Sequence, residues 1–162
     1  MFELSQSFYF ESAHTLRREV ERNEADGSRR VHGHTYTAEV CVSGKAHRAT
    51  GMVVDLAVLR AAIAAVREQL DHHFLDEVPG LDVPTLENLC VFIYKRVAAQ
   101  VPGVASVSVA RHSSGDRCVY RGPGGRGDRA GAGSAGGASG GHDDGHGSDG
   151  GNGGSGGGNG GE

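Results

Sequence analysis

Residues 31–36 read Val31-His32-Gly33-His34-Thr35-Tyr36, and apolar and polar side chains alternate from there as far as Ser43. Alternation of this kind predicts a half-buried β-strand. Side chains two residues apart on a strand point to the same face, so His32 and His34 project together from the more apolar face. A second predicted strand, which starts near the beginning of the chain, carries His14 on its apolar face.

Pairing of these two strands brings His14, His32 and His34 together. Three neutral histidines with one open coordination position form a known type of catalytic zinc site. A single histidine on a strand is more commonly a hydrogen-bonded core residue, whereas two on one face are about equally consistent with core residues and with metal ligands. The three side chains are therefore candidate Zn²⁺ ligands, and half-buried core histidines remain the alternative at this point.

The composition of the chain changes at about residue 122. Of the 28 glycines, 21 lie from Gly122 onward, and residues 123–162 contain no aromatic side chain and no aliphatic one larger than alanine. Such a segment cannot bury enough apolar surface to offset the entropy lost on ordering. We therefore predict one folded domain over residues 1–122 and a disordered glycine-rich tail over residues 123–162, in which His142 and His146 are weak alternative metal ligands.

Charge, cysteine spacing and the N-terminal residues narrow the possible partners and compartments. The chain has a net charge of −4, of which the tail contributes −3. A nearly neutral domain lacks the basic surface that binds nucleic acid or anionic membranes, so neither is expected as a partner. The three cysteines have no CxxC spacing and are expected in the core. The first residues do not have the pattern of a signal peptide, and a cytoplasmic location is expected.

The remaining pattern predicts two helices between two pairs of strands. The first two strands are predicted over residues 2–16 and 31–43. Apolar residues then recur at helical spacing after Asp55 and again after Thr85, each a good N-cap. Two further strands are predicted over residues 104–112 and 117–121. The order β-β-α-α-β-β predicts an α+β fold in which a four-stranded antiparallel sheet carries both helices on one face.

These elements contain the motifs of a known family. In chain order the motifs are Phe8-Tyr9-Phe10-Glu11-Ser12-Ala13-His14, Val31-His32-Gly33-His34-Thr35-Tyr36, Gly51-Met52-Val53-Val54-Asp55-Leu56, Leu70-Asp71-His72-His73-Phe74-Leu75, Pro84-Thr85-Leu86-Glu87-Asn88 and Cys118-Val119-Tyr120-Arg121. With them the chain resembles the 6-pyruvoyltetrahydropterin synthase and 6-carboxytetrahydropterin synthase superfamily, small enzymes of the tunnelling fold. The resemblance covers nearly all of residues 1–122.

The resemblance implies a metal site, an assembly and several roles for individual residues. It places zinc on His14, His32 and His34. It implies a homohexamer of two stacked trimers, in which the sheets close into a barrel and the active sites lie between subunits. It also implies that Asp71 and His72 form an acid–base pair and that Thr85 and Glu87 contact a small-molecule substrate. Without the resemblance, His72 would be read as a residue that ends a helix, where an imidazolium favours the helix dipole.

The chain departs from the family pattern at two positions. Family enzymes that convert dihydroneopterin triphosphate have a cysteine four residues before the first histidine of the HGH motif, where this chain has Ser28. A thiol can act as a general base near neutral pH, whereas an alcohol cannot without strong help, so Glu24, Asp26 and above all His72 are the alternative bases. The family also has a pterin-binding glutamate on the third strand. Counting back eight residues from Tyr120 gives His112, which cannot make the same two-point contact.

The cysteine base and the pterin-binding glutamate of the family are both replaced, whereas the three zinc ligands are retained. This combination favours a protein that acts on a different substrate over a protein that has lost its activity. The leading prediction is a zinc-dependent lyase, isomerase or cyclase that acts on a pterin-like or other small polyoxygenated molecule. One alternative is a genuine 6-carboxytetrahydropterin synthase that acts on dihydroneopterin triphosphate. The other is a noncatalytic zinc-binding hexamer.

Overall fold

The computed structural model describes residues 1–16 and 30–123. Its strands are β1 (Phe2–His14), β2 (His32–Gly44), β3 (Val104–Arg111) and β4 (Asp116–Arg121). Its α-helices are α1 (Leu56–Leu70) and α2 (Leu86–Ala98), and a single 3₁₀ turn covers Leu75–Glu77. The predicted α+β class and element order are confirmed, with small shifts at the strand ends. Ser28, Glu24, Asp26 and the tail from residue 124 onward lie outside the described residues.

The four strands form one antiparallel sheet in the order β1-β2-β3-β4. The first two strands pair along their whole length, so that His14 lies opposite His32 and Ser12 lies opposite His34. This register places the histidines of both strands at the same end of the sheet and on the same face. The sequence-predicted convergence of three imidazoles therefore follows from the pairing of β1 with β2.

One face of the sheet packs against both helices. The buried strand residues Phe10, Tyr36 and Val107 belong to the same apolar cluster as Leu59 of α1 and Ile93 of α2. Burial of this apolar surface is the main favourable contribution to folding. The histidines continue the inward-facing rows of β1 and β2 beyond Phe10 and Tyr36, and they therefore lie at the end of the core rather than on the opposite face.

Both helices begin at the predicted N-caps. The Asp55 carboxylate accepts a hydrogen bond from the backbone N–H of Ala57 at 2.8 Å, and the Thr85 hydroxyl accepts one from Asn88 at 3.3 Å. Each cap satisfies a backbone donor that the first turn of a helix leaves unpaired. Among the described residues, no helix has both the length and the apolar character needed to cross a bilayer.

The segment that follows α1 joins the outer edge of β1. The backbone N–H of His72 donates to the Glu11 carbonyl at 2.6 Å, and the N–H of Ala13 donates to the His73 carbonyl at 3.3 Å. His72 has a φ of 61°, in the left-handed region that a residue with a Cβ rarely adopts. Strain of this kind persists where the surrounding contacts impose it and is common at functional sites. Here the two hydrogen bonds to β1 impose the strained conformation, and they hold Asp71 and His72 beside the end of that strand.

Candidate metal centre and active site

Three histidines form a compact cluster at the end of the sheet. One ring nitrogen from each of His14, His32 and His34 lies within 4.8 Å of the others. The ring centroids are 4.5 Å apart for His14 and His32, 5.2 Å for His14 and His34, and 4.9 Å for His32 and His34. No other group of three or more histidine, cysteine or carboxylate side chains approaches in this way among the residues that the structure describes.

The hydrogen bonds of the cluster determine which nitrogen carries the proton. Nδ1 of His14 lies 3.1 Å from the Pro84 carbonyl, and Nδ1 of His32 lies 2.8 Å from the Arg30 carbonyl. A carbonyl only accepts, so both Nδ1 atoms are donors and both neutral rings present a lone pair on Nε2. The Nε2 lone pair of His34 accepts a hydrogen bond from an N–H of Arg111 at 3.3 Å, so a metal ion on Nε2 would take the place of that hydrogen bond.

Burial favours the neutral forms of His14 and His34. His14 is only 2% exposed. Burial, with smaller contributions from repulsion by His32 and His34, lowers the pKa of His14 to about 4. Burial and the nearby Arg111 guanidinium also lower the pKa of His34. At pH 7 a metal ion therefore does not have to displace a proton from either ring.

The buried lone pair of His14 has no partner among the described residues. A buried polar atom without a hydrogen bond costs about 1–3 kcal/mol. Three neutral imidazole nitrogens in one small space are also a donor set that suits Zn²⁺ and leaves a fourth coordination position open. The residues at this end of the sheet therefore fit the metal that the sequence predicts.

Asp71 and His72 form an ion pair on the edge of β1. Oδ1 of Asp71 lies 3.1 Å from Nδ1 of His72 and accepts a hydrogen bond from the backbone N–H of Glu11 at 2.9 Å. Oδ2 of Asp71 accepts from Nη2 of Arg67 at 2.9 Å. The Glu11 hydrogen bond, helped by the charges of Arg67 and His72, holds the pKa of Asp71 below its usual value. Asp71 is therefore ionised at neutral pH and can accept a hydrogen bond from Nδ1 of His72.

A cavity of about 500 Å³, which we call the His72 cavity, lies beside His72 at the edge of β1. Its walls include Glu11, Gly33, His34, His72 and Phe74. The side chain of His72 is 77% exposed, so its ring is accessible to a molecule in the cavity. His34 and His72 are therefore both among the residues around this cavity, whereas Asp71, His14 and His32 are not among the described residues that line it.

A second cavity, of about 590 Å³, is lined by Arg111 and is called the Arg111 cavity here. Thr85 and Glu87, both predicted to contact substrate, are among its wall residues, together with Tyr36, Arg111 and Asp116. The Tyr36 ring packs against His34 with the centroids 5.7 Å apart. The predicted substrate-binding residues therefore lie beside the predicted metal ligands.

The structure does not bring His112 to this cavity. His112 is exposed in the turn between β3 and β4 and is absent from the described residues that line the cavity. The preceding residue, Arg111, ends β3 and contacts His34 instead. Strand alternation could have identified Arg111 from the sequence. It lies two and four residues after the buried Val109 and Val107, so it faces the same side of the sheet. Ser28, the other changed position, lies outside the described residues.

Comparison with known proteins identifies the family. A family model described as 6-pyruvoyl tetrahydropterin synthase matches residues 3–123. A 6-carboxy-5,6,7,8-tetrahydropterin synthase of Synechocystis is 35% identical over 115 residues, which cover 67% of this chain and 85% of that protein. A dihydroneopterin monophosphate aldolase of Pyrococcus furiosus is 34% identical over 94 residues, which cover 58% of this chain and 73% of that protein.

A solved structure supports the fold. The 6-pyruvoyl tetrahydropterin synthase of Caenorhabditis elegans superimposes with a TM-score of 0.64 at 23% identity, covering 75% of this chain and 95% of that one. At this identity the likeness establishes the tunnelling fold, while the family match over residues 3–123 establishes membership. The chain belongs to the 6-pyruvoyl tetrahydropterin synthase family, whose curated relatives are pterin enzymes.

Proposed function

We propose that this chain is a zinc-dependent lyase, isomerase or cyclase that acts on a pterin-like or other small polyoxygenated molecule. The observation that carries the proposal is the convergence of three Nε2 lone pairs, one of them buried without a partner, on His14, His32 and His34. When bound there, zinc polarises a hydroxyl or carbonyl oxygen and so favours proton removal from the adjacent carbon.

His72 is the proposed proton carrier. Its Nδ1 faces the ionised Asp71 at 3.1 Å, which leaves Nε2 to accept or release a proton toward the His72 cavity. Imidazole titrates near neutral pH and serves in both directions. Asp71 fixes the ring orientation through the hydrogen bonds that it receives from Glu11 and Arg67.

The family alone does not determine the reaction. The relatives include a 6-carboxy-5,6,7,8-tetrahydropterin synthase, a dihydroneopterin monophosphate aldolase and a 6-pyruvoyl tetrahydrobiopterin synthase. Ser28 stands where the family places its cysteine base, and this favours a changed substrate or reaction. A genuine 6-carboxytetrahydropterin synthase and a noncatalytic zinc-binding hexamer are the competing functions.

Removal of the His72 ring tests the acid–base assignment. For whichever of dihydroneopterin triphosphate, dihydroneopterin monophosphate and dihydroneopterin the wild type converts fastest, His72→Ala is expected to lower kcat by about a hundred- to ten-thousand-fold, because general acid–base catalysis contributes that much. Zinc content should not change. His47→Ala, which removes an exposed imidazole outside both cavities, should leave kcat unchanged.

Two outcomes of that experiment contradict the proposal. A normal kcat in His72→Ala would remove His72 from the mechanism. No turnover of any of the three compounds by wild type, with zinc fully bound, would favour the noncatalytic hexamer.

We also propose that the chain forms a homohexamer, as the resemblance implies. The outer strands of the described sheet are β1 and β4, and β1 carries Phe2 and Tyr9 with 60% and 58% of their surface exposed. Exposed edges of sheets invite pairing with another chain. Light scattering should give roughly 100 kDa, or six copies of the 16.8 kDa chain. A monomer would contradict both the assembly and active sites shared between subunits.

A further inference from the structure

Strand β3 brings a guanidinium to the histidine cluster. Arg111 is the last residue of β3 and lies opposite Asp116 in the β3–β4 pair. Its side chain follows Val107 and Val109 on the inward face and reaches His34, with Nη1 3.3 Å from Nε2. A positive charge thus lies beside the proposed metal ligands, although a cation at that position repels a metal ion. Its presence calls for an explanation other than metal binding.

Asp116 fixes the orientation of this guanidinium. Nη2 of Arg111 donates to Oδ2 of Asp116 at 2.6 Å, and the same oxygen accepts from the Ser114 hydroxyl at 2.7 Å. The Arg111 side chain is 23% exposed and has remaining N–H groups, since five donors meet only two partners among the described residues. Arg111 is therefore held in place yet retains donors for a ligand.

Two buried polar groups around His34 have no partner among the described residues. They are Nε of Arg111 and the hydroxyl of Tyr36. The phenol hydroxyl of Tyr36 can donate a hydrogen bond. Both residues line the Arg111 cavity, and unpaired donors there favour a ligand that supplies oxygen lone pairs.

The charges on the wall of the Arg111 cavity favour a negative ligand once a metal is bound. The wall contains two arginines, Arg111 and Arg117, and two carboxylates, Glu87 and Asp116. These charges balance, so a divalent cation on the adjacent histidines leaves the region positive. A ligand with an anionic oxygen group would restore the balance and would also satisfy the unpaired donors.

We propose that Arg111, oriented by Asp116, is a specificity-determining residue that binds an anionic oxygen group of the substrate, a carboxylate or a phosphate, beside the histidine cluster. This inference rests on the proposed function, since it concerns the substrate of that site. It reverses the charge of the third-strand contact that the resemblance implies, because a carboxylate accepts from the N–H groups of a pterin ring, whereas a guanidinium donates to oxygen.

Anion binding to the full-length chain tests the inference. Inorganic phosphate and acetate are titrated separately by calorimetry into wild type, Arg111→Gln and Arg111→Lys, and the zinc content of each preparation is measured. Wild type is expected to bind at least one of the two anions. Arg111→Gln should weaken that binding roughly ten- to a hundred-fold, as expected for the loss of a charged hydrogen-bond donor. Arg111→Lys keeps the charge without the planar fork and should fall between them.

The matched control is Arg60→Gln. It removes a guanidinium that hydrogen-bonds Gln6 and lines neither cavity, so the anion affinities should equal those of wild type. A larger loss for phosphate would identify a phosphate group, and a larger loss for acetate would identify a carboxylate. Should Arg111→Gln fail to fold, the anion affinities of wild type and Arg111→Lys are compared instead, and weaker binding by Arg111→Lys would support the inference.

The inference is overturned if wild type binds neither anion, or if the Arg111 variants bind them as tightly as wild type does. Zinc content reports separately on the proposed function. Absence of zinc refutes the metal site, while the comparison between wild type and the variants still measures the contribution of Arg111.

Discussion

Combining Ser28→Cys with Arg111→Glu is expected to raise kcat/KM for dihydroneopterin triphosphate far above that of wild type. A thiol base should contribute about a hundred- to ten-thousand-fold, because a thiol near neutral pH abstracts a proton far more readily than an alcohol does. A carboxylate in place of the Arg111 guanidinium should add at most roughly ten- to a hundred-fold through charged hydrogen bonds to the ring N–H groups, because the facing Asp116 carboxylate repels it. Initial rates of the wild type and of the single and double variants give both contributions.

The control for this experiment is Ser28→Cys combined with His112→Glu. The sequence assigns the third-strand position to His112, but the structure places that side chain in the exposed turn and Arg111 in the cavity wall. The control should therefore show the gain of Ser28→Cys alone. If wild type already turns over dihydroneopterin triphosphate as fast as ordinary family members, the changed-substrate account fails and the 6-carboxytetrahydropterin synthase alternative replaces it.

Replacing His32 and His34 together with alanine is expected to abolish stoichiometric zinc binding. Wild type should hold about one zinc per chain, because three neutral imidazoles with an open fourth position match a catalytic zinc site. The double variant retains one of the three ligands, which is too few to hold zinc at micromolar concentrations of a competing chelator. Elemental analysis after dialysis against such a chelator gives the ratio of zinc to protein.

The tail provides the matched control. His142→Ala combined with His146→Ala should keep the full zinc content, because His14, His32 and His34 are then all still present to bind the metal. Loss of the stoichiometric zinc on truncation after Gly122, with the domain still folded, would transfer the site to the tail and contradict the assignment.

Much of the fold follows from local patterns that the sequence displays directly. Alternation identified β1 and β2, and Asp55 and Thr85 marked both helix starts because their side chains cap the first turn. The cluster of His14, His32 and His34 was predictable for the same reason. His32 and His34 are two residues apart on one strand and share a face, and His14 lies on the apolar face of the neighbouring strand. The predicted core position of the cysteines is confirmed for Cys90, whereas Cys41 and Cys118 are only half-buried.

Features that depend on contacts distant in sequence were not predictable in this way. The left-handed conformation of His72 and its hydrogen bond to Glu11 depend on where the end of α1 meets β1. No periodic pattern reports such a meeting, nor the 3₁₀ turn at Leu75–Glu77. The carbonyls that set the tautomers of His14 and His32 are likewise known only from the folded chain.

The third-strand position shows how two sequence arguments can disagree. Counting back from Tyr120 crosses the turn between β3 and β4 and depends on the length of that turn, and it leads to His112. Counting forward along β3 by strand parity from Val107 leads to Arg111 and does not cross a turn. In the structure β3 ends at Arg111 and the turn begins at His112, so the forward count gives the residue that still lies on the strand.

The most direct test of the central claim is an anomalous-scattering map, measured at the zinc absorption edge, from crystals of the full-length protein that retains its metal. The account predicts one strong peak per chain within about 2.0–2.1 Å of Nε2 of His14, His32 and His34, the usual zinc–nitrogen distance. A stoichiometric zinc peak at any other side chains, with these three nitrogens free of metal, would contradict it.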